Sequence, residues 1–192
     1  KTLVEKDTLY MHGKKIIVSG PQEDRVIRAF NNVRFYKSDM SGKCDSLHSN
    51  NKTQLTKMIG KPILWNNENQ MTGDVMHLIG NNKTQKLDSL KVLNNAFIIQ
   101  KDSLSKNGYN QIKGQNLYGK FVDSKLKEVD VVKNAEVIYY MYNDANEFIG
   151  INKTVCSKIN LELEENKINS ITFFTKTDSH IYPEADFPEN AR

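Results

Sequence analysis

Cysteine is nearly missing from this chain. Cys44 and Cys156 are the only two in 192 residues, which rules out a disulfide scaffold and leaves one bridge or none. Proline is also scarce, with four in all, and Pro183 and Pro188 both fall near the end. No run approaches 18 apolar residues, so no helical membrane span is encoded. The nucleophile-elbow, phosphate-loop and dinucleotide glycine motifs do not occur. His12, His48, His77 and His180 form no metal-ligand spacing and read as exposed strand histidines. Neither sign of charge dominates: 27 basic and 23 acidic residues are well mixed, with a net charge of +4, which gives no footprint for nucleic acid. Only 38% of residues are hydrophobic and the mean hydropathy is −0.60. What is present argues against disorder, because 8 Phe, 8 Tyr and many β-branched residues suit a thin, extended sheet structure.

The chain repeats itself. Met40-Ser41-Gly42 and Met71-Thr72-Gly73 are each followed, five residues after the glycine, by a leucine (Leu47 and Leu78). Each then reaches the same pentapeptide, Asn50-Asn51-Lys52-Thr53-Gln54 and Asn81-Asn82-Lys83-Thr84-Gln85, at a constant offset of 31 residues. Weaker copies of the apolar-x-Gly element stand at Ile112-Lys113-Gly114 and Phe148-Ile149-Gly150.

A second series lies between these returns, stacked on the pairs Asn31-Asn32, Gly60-Lys61, Asn94-Asn95 and Lys133-Asn134. One column reads Ile27, Thr56, Leu90, Val129, and two residues on it reads Ala29, Met58, Val92, Val131. The column between is Arg28, Lys57, Lys91, Asp130. Apolar and charged columns alternating in this way mean β-strands with one wet face. Beyond the paired bend the apolar column is Phe35, Leu64, Ile98, Val137, and its neighbour (Tyr36, Trp65, Ile99, Ile138) is apolar too, which leaves facing open there.

The pattern predicts an all-β fold of long, bent antiparallel strands. Forward passes run near 24–37, 53–66, 85–101, 125–142 and 167–175, with returns near 40–49, 70–80, 109–122 and 147–164. Turn-prone Asn50-Asn51, Asn66-Asn67, Asn81-Asn82 and Asn143-Asp144 separate them. Gly42, Gly73, Gly114 and Gly150 are expected to mark bends on the returns, carrying each strand from one sheet to a facing one. The result is two facing sheets with an apolar trough inside. Residues 1–180 form this domain, and the Pro-containing tail 181–192 is expected to run over the surface.

Several strings in this register resemble the OstA-like lipopolysaccharide-transport family, which includes LptA and LptC. They are Ala29-Phe30-Asn31-Asn32-Val33-Arg34-Phe35-Tyr36, Gly42-Lys43-Cys44-Asp45-Ser46-Leu47, Pro62-Ile63-Leu64-Trp65, Tyr109-Asn110-Gln111-Ile112-Lys113-Gly114 and Gly150-Ile151-Asn152-Lys153. The likeness runs from about residue 7 to about residue 183 and is nearest to a carboxy-terminal portion of the larger OstA-like envelope proteins. It implies an open-ended β-jellyroll in the periplasm, with its signal peptide removed, holding lipid A chains between the sheets. The inward columns are then the lipid-binding candidates: Ile27, Ala29, Phe35, Met40, Met58, Leu64, Met71, Leu90, Val92, Ile98, Ile112, Val129, Val131, Val137 and Phe148. Asn116 and Asn152 are polar where a greasy groove is expected. The partners implied are lipopolysaccharide or lipid A, other jellyroll domains joined by edge-strand addition, and a further copy of the chain. No enzyme activity, cofactor, metal or nucleic acid is expected. The rival reading is a non-enzymatic, β-solenoid-like structural or interaction module of the envelope.

Other motifs have plainer readings. Glu162 and Glu164 share one strand face opposite Leu161 and Leu163, so with Glu165 they mark a solvated edge rather than an acid–base pair. The N-x-T sequons at Asn51 and Asn82 are hairpin chemistry; a third is at Asn152. Asp7, Asp45, Asp88 and Asp102 begin Asp-Ser/Thr-Leu triplets, better read as strand and turn usage than as O-linked modification sites. Cys44 and Cys156 fall on well-separated returns and are expected to be unpaired.

Overall fold

The computed structural model describes residues 9–38, 40–66, 68–84, 86–164 and 167–187. Asp7, Asn67, Gln85, Glu165 and the tail beyond 187 lie outside the described residues. The strands are β1 (Tyr10–His12), β2 (Lys15–Ser19), β3 (Val26–Lys37), β4 (Met40–Asn50), β5 (Leu55–Ile59), β6 (Ile63–Asn66) and β7 (Asn69–Thr72). They continue with β8 (Val75–Gly80), β9 (Leu87–Lys101), β10 (Tyr109–Val122), β11 (Lys125–Tyr142), β12 (Phe148–Glu164), β13 (Lys167–Phe174) and β14 (Asp178–Tyr182). Pairing is antiparallel throughout, in the order β1-β3-β4-β5-β8-β9-β10-β11-β12-β13. Among the described residues no helix is long and apolar enough to cross a membrane.

Each long pass is bent in the middle, so its two halves pair in different arms. In the first arm, β2, the start of β3 and the end of β4 lead through β5 and β8 to β9, and β13 closes the far end on β12. In the second arm, β1 and the end of β3 lead through β6 and β7 to the end of β9, and β14 lies on the start of β12. The arms face each other across one core, in which Met58 and Leu90 of the first meet Leu64 and Ile98 of the second. The result is an all-β, open-ended jellyroll of two facing sheets.

The corners are made by adjacent residues in the left-handed region. Asn31 and Asn32 (φ 62° and 56°), Gly60 and Lys61 (81° and 51°), Asn94 and Asn95 (57° and 50°), and Lys133 and Asn134 (64° and 52°) are the four pairs on which the sequence columns stack. Two successive left-handed residues turn the strand sharply, and each pair outnumbers the partner strand: Asn31-Asn32 lie between the Phe30–Ser46 and Val33–Cys44 pairs, opposite Asp45 alone. A backbone bond recurs at the joint. Asp45 N–H donates to Gly60 O at 3.2 Å, Asp74 N–H to Asn94 O at 3.1 Å, and Lys14 N–H to Asn31 O at 3.2 Å.

Thr175 and Lys176 (φ 56° and 51°) form a further corner, where Ser157 N–H donates to Thr175 O at 3.3 Å. β13 and β14 are therefore the two halves of one pass. Ile181 and Tyr182, assigned from sequence to the tail, finish that pass. Phe187 then tucks against Ile138 and Ile151, with its ring edge-on to Tyr182 at 5.7 Å. Phe187 thus covers part of the outer face of the second arm, which is why Ile138 is buried although its column faces outward.

The glycines of the returns do a different job from the one expected. None has a positive φ. Gly73 and Gly114 adjoin corners, but Gly42 pairs with Phe35 and Gly150 with Met141, away from them. What they supply is room: a Cβ at Gly42 would strike the Phe35 ring, at Gly73 Val92, and at Gly114 Val131. Turn chemistry is as the sequence suggests. Asn50 Oδ1 accepts from Thr53 N–H at 2.9 Å, Asn81 Oδ1 from Lys83 N–H at 2.9 Å, and Asn143 Oδ1 from Ala145 N–H at 3.0 Å.

Candidate functional site

The space between the arms is the candidate site, and its base is filled. Ala29, Met58, Leu64, Met71, Leu90, Val92, Val131 and Val137 are fully buried there, and Phe35, Ile98, Ile112 and Val129 nearly so. Ile27 is half-buried in the first arm, and Met40 packs half-exposed against the core from the second. Phe148 is the exception. It is exposed and stacks on Tyr142 and Tyr140, with ring centroids at 5.8 and 6.1 Å, on the outer side of the second arm. A register shift between Met141 and Tyr142 leaves Ile149 unpaired and turns Phe148 outward.

Opposite the corners the arms part. Near the N-terminal end they leave a cleft of about 330 Å³, walled by Met11, Ile27, Phe35, Met40, Leu47, Leu78 and Leu87, with Lys37 and Lys86 at its rim. Lys86 is held by Asp123 at 2.9 Å. Nearer the C-terminal end is a cleft of about 700 Å³ between Ile168, Ile171 and Phe173 of β13 and Gln100, Asn110 and Tyr139 of the second arm. A void of about 20 Å³ lies between Ile112, Leu126, Leu161 and the polar trio Asn69, Gln100 and Asn110.

That polar wall was not foreseen. Asn66 and Asn69 are buried at 1% and 3% exposure, and the Asn69 Nδ2 donor has no partner. Asn110 Oδ1 accepts from Tyr140 N–H at 3.0 Å. Asn152 is also inside, but satisfied: its Nδ2 donates to Ser179 Oγ at 3.0 Å and its Oδ1 accepts from Thr154 at 2.7 Å. Asn116 instead stands at a corner, where its Oδ1 accepts from Asn94 N–H at 3.1 Å. Asp102, one of the triplet aspartates, is buried and organises the loop after β9, accepting from Leu104 N–H at 3.0 Å and from the Tyr142 hydroxyl at 2.6 Å.

Both cysteines are free and buried. Burial pushes the Cys44 thiol from 9.0 up to about 11, with Asp45 adding to the rise and a backbone bond at Ile59 opposing it. Neither thiol is set up as a nucleophile.

A family model described as "LptA/(LptD N-terminal domain) LPS transport protein" matches residues 3–86, the segment that contains β1 to β8. Over that segment the chain is similar to LptA. Its fold matches that of LptH from Pseudomonas aeruginosa, described as the LptA homologous periplasmic component of the conserved lipopolysaccharide transport device. The TM-score is 0.57 at 15% identity, over 75% of this chain and 95% of that one. No curated protein matches the sequence. That coverage is longer than the segment matched in sequence, so the likeness in fold extends beyond it.

Proposed function

We propose that this LptA-like chain is a periplasmic lipid-binding element of lipopolysaccharide transport to the outer membrane, receiving acyl chains of lipid A between its arms. The observation that carries this reading is the 330 Å³ cleft, whose walls are mainly aliphatic and aromatic side chains of both arms, with Ser49, Gln54 and Thr56 among them, and whose rim holds Lys37 and the Asp123-paired Lys86. Burying an alkyl chain there gains about 0.8 kcal/mol per methylene, and cations at the rim suit a phosphorylated headgroup. Because the base is packed, the lipid lies in the parted side of the trough rather than along its floor. Transport, not catalysis, is the role the fold suits. The trough is open at both ends of the strand order, so a neighbouring jellyroll domain or a second copy added edge to edge would prolong it.

The test is binding of a fluorescent lipid A analogue. Ile27→Asp and Met40→Asp place a carboxylate in the cleft wall at half-exposed positions and should lower affinity at least tenfold while circular dichroism stays unchanged. Lys91→Asp, on the opposite face, should bind as the parent does. Undiminished binding in both cleft variants sinks the proposal. A scaffold role without lipid is the second reading, favoured by the packed base, and it predicts no binding by the parent.

A further inference from the structure

Cross-strand pairing lines up one continuous row on the outer face of the first arm. Arg28 pairs with His48, His48 with Lys57, Lys57 with His77, and His77 with Lys91. Their chain neighbours Ala29, Leu47, Met58, Met76 and Val92 are buried inside, so the row faces outward. With strands about 4.8 Å apart, these side chains extend over roughly 19 Å. The row toward the corner is Phe30, Ser46, Ile59, Val75, Leu93, and the row toward the mouth is Val26, Asn50, Leu55, Ile79, Ser89. None of these positions is acidic. Arg28, Lys57 and Lys91 make no ion pair among the described residues.

The same face changes character in the later strands. Lys91 pairs onward with Tyr118, then come Asp130 and Asn160. There charges are matched: Lys120 meets Glu128 at 2.7 Å, Lys158 meets Asp130 at 2.8 Å, and Asn160 donates to both carboxylates at 3.1 Å. Carboxylates oppose the cations in that half, whereas Arg28, Lys57 and Lys91 alternate with histidines and no carboxylate stands in their row. The repulsion is felt within the row: burial first, then Lys57 and Lys91, hold His77 below its ordinary range. The acids near this face stand at its borders and already have partners. Asp24 is engaged by Lys52 and Asn50 at the mouth, Asp45 accepts from the Ser46 hydroxyl at 2.8 Å, and Asp74 accepts from Asn95 at a corner.

We infer that this outer face, across β3, β4, β5, β8 and β9, docks on an anionic phospholipid surface. Arg28, Lys57 and Lys91 would lie on lipid phosphates, with the apolar members of the flanking rows, Ile59 foremost, set between headgroups. Charge complementarity supplies the sign of the partner, and the apolar rows supply its class. A soluble polyanion has no use for Ile59, which is 46% exposed beside Lys57, or for Leu55 and Ile79 on the other flank. An interfacial lipid region rewards basic and apolar side chains together, and a flat row suits a flat surface. This docking is independent of the cleft, which opens on the opposite side of the same sheet.

The experiment is vesicle co-sedimentation of the intact chain, with phosphatidylcholine alone and with phosphatidylglycerol added. The parent should bind only the anionic vesicles and release in high salt. Lys57→Glu/Lys91→Glu should lower partitioning by more than about thirtyfold, the loss expected from removing two cations alone. Lys83→Glu/Lys106→Glu, an equal charge change on exposed turns, should change it by less than about threefold. Lys57→Gln/Lys91→Gln guards against misfolding, and circular dichroism is recorded for every variant. Ile59→Ser should weaken vesicle binding without affecting binding of soluble polyphosphate. The inference is overturned by a parent that ignores phosphatidylglycerol or by equal losses in the two charge-reversal pairs. It is also overturned if vesicle binding is unchanged in Ile59→Ser while polyphosphate binds as tightly, since the row would then be a soluble-polyanion site. The lipid A assay on Lys57→Glu/Lys91→Glu reads the cleft separately.

Discussion

Gly114 and Val131 show how closely side chains set the spacing of this sheet. The valine methyl occupies the volume where a Cβ on residue 114 would stand. Gly114→Ala should therefore overpack the core and cost about 1–3 kcal/mol in urea unfolding. Gly13→Ala is the control, since its Cβ would meet Phe30 O at 3.5 Å and Ala29 at 3.6 Å, ordinary contacts, and should be nearly neutral. Adding Val131→Ala to Gly114→Ala should cost less than the sum of the single changes, with a coupling of about 1 kcal/mol. Strict additivity would mean that the glycine is there for some other reason. Cys44 gives a second test at this scale. Its thiol is raised to about 11 in the fold and ionises near 9.0 when exposed, so between those values the unfolded chain loses a proton that the native chain keeps. Stability attributable to this group is full below pH 9 and falls as pH rises toward 11, by about 1.4 kcal/mol per pH unit. Cys44→Ala should flatten that decline relative to the parent in denaturant titrations at pH 8, 9 and 10; parallel curves would refute the assignment.

At the level of elements, the corner is the unit that makes this fold, and its strength lies in backbone conformation. Asn134 has φ 52° and lies exposed, so its side chain is not committed to packing. Asn134→Val forces a β-branched residue into the left-handed region and should cost about 1–2 kcal/mol, whereas Asn134→Gly should cost little or stabilise. Equal effects of the two changes would show that the pair is not held by conformation. The same physics explains which elements could be read from sequence. Four corners were visible because apolar columns align on both sides of each pair, and because asparagine and glycine suit a positive φ. Thr175-Lys176 was not, since neither residue favours that region and β14, apart from half-buried Tyr182, is exposed, leaving no inward column to align. β1 and β2 were missed for the same reason, as edge strands whose residues are almost all exposed. The inner polar wall of Asn66, Asn69, Gln100 and Asn110 was hidden because a polar residue in a strand ordinarily marks the wet face. Phe148 was misplaced by one bulge, which no periodicity reveals.

For the whole molecule, the decisive feature is that among the described residues the strand order does not close. β2 and β1 end it on one side, joined through Gly13 and Lys14 opposite the Asn31 corner, and β13 and β14 end it on the other, bent at Thr175-Lys176. Phe187 does not close it either, since it lies on the outer face of the second arm. If copies stack through these ends as proposed, corner on corner, the cross-strand rows fix the register. Ile17 pairs with Arg28 at the start of the row, and after Lys91 the same row runs through Tyr118, Asp130 and Asn160 to Thr172 at its far end. Thr172 of one copy should then stand directly opposite Ile17 of the next, with β13 and β2 antiparallel. Directly opposed residues have Cα atoms about 4.5–5.5 Å apart, within disulfide reach. In a background with Cys44 and Cys156 replaced by alanine, Ile17→Cys/Thr172→Cys should form intermolecular disulfides under mild oxidation, giving a ladder on non-reducing gels. Ile17→Cys/Phe174→Cys shifts the register by two residues, to a diagonal of about 7–8 Å, and should crosslink far less. Each single-cysteine variant should yield no ladder. Analytical ultracentrifugation sets the concentration at which the background chain self-associates. At that concentration, absence of a ladder from the matched pair, or equal ladders from the two pairs, would show that these edges do not join in the register of the rows.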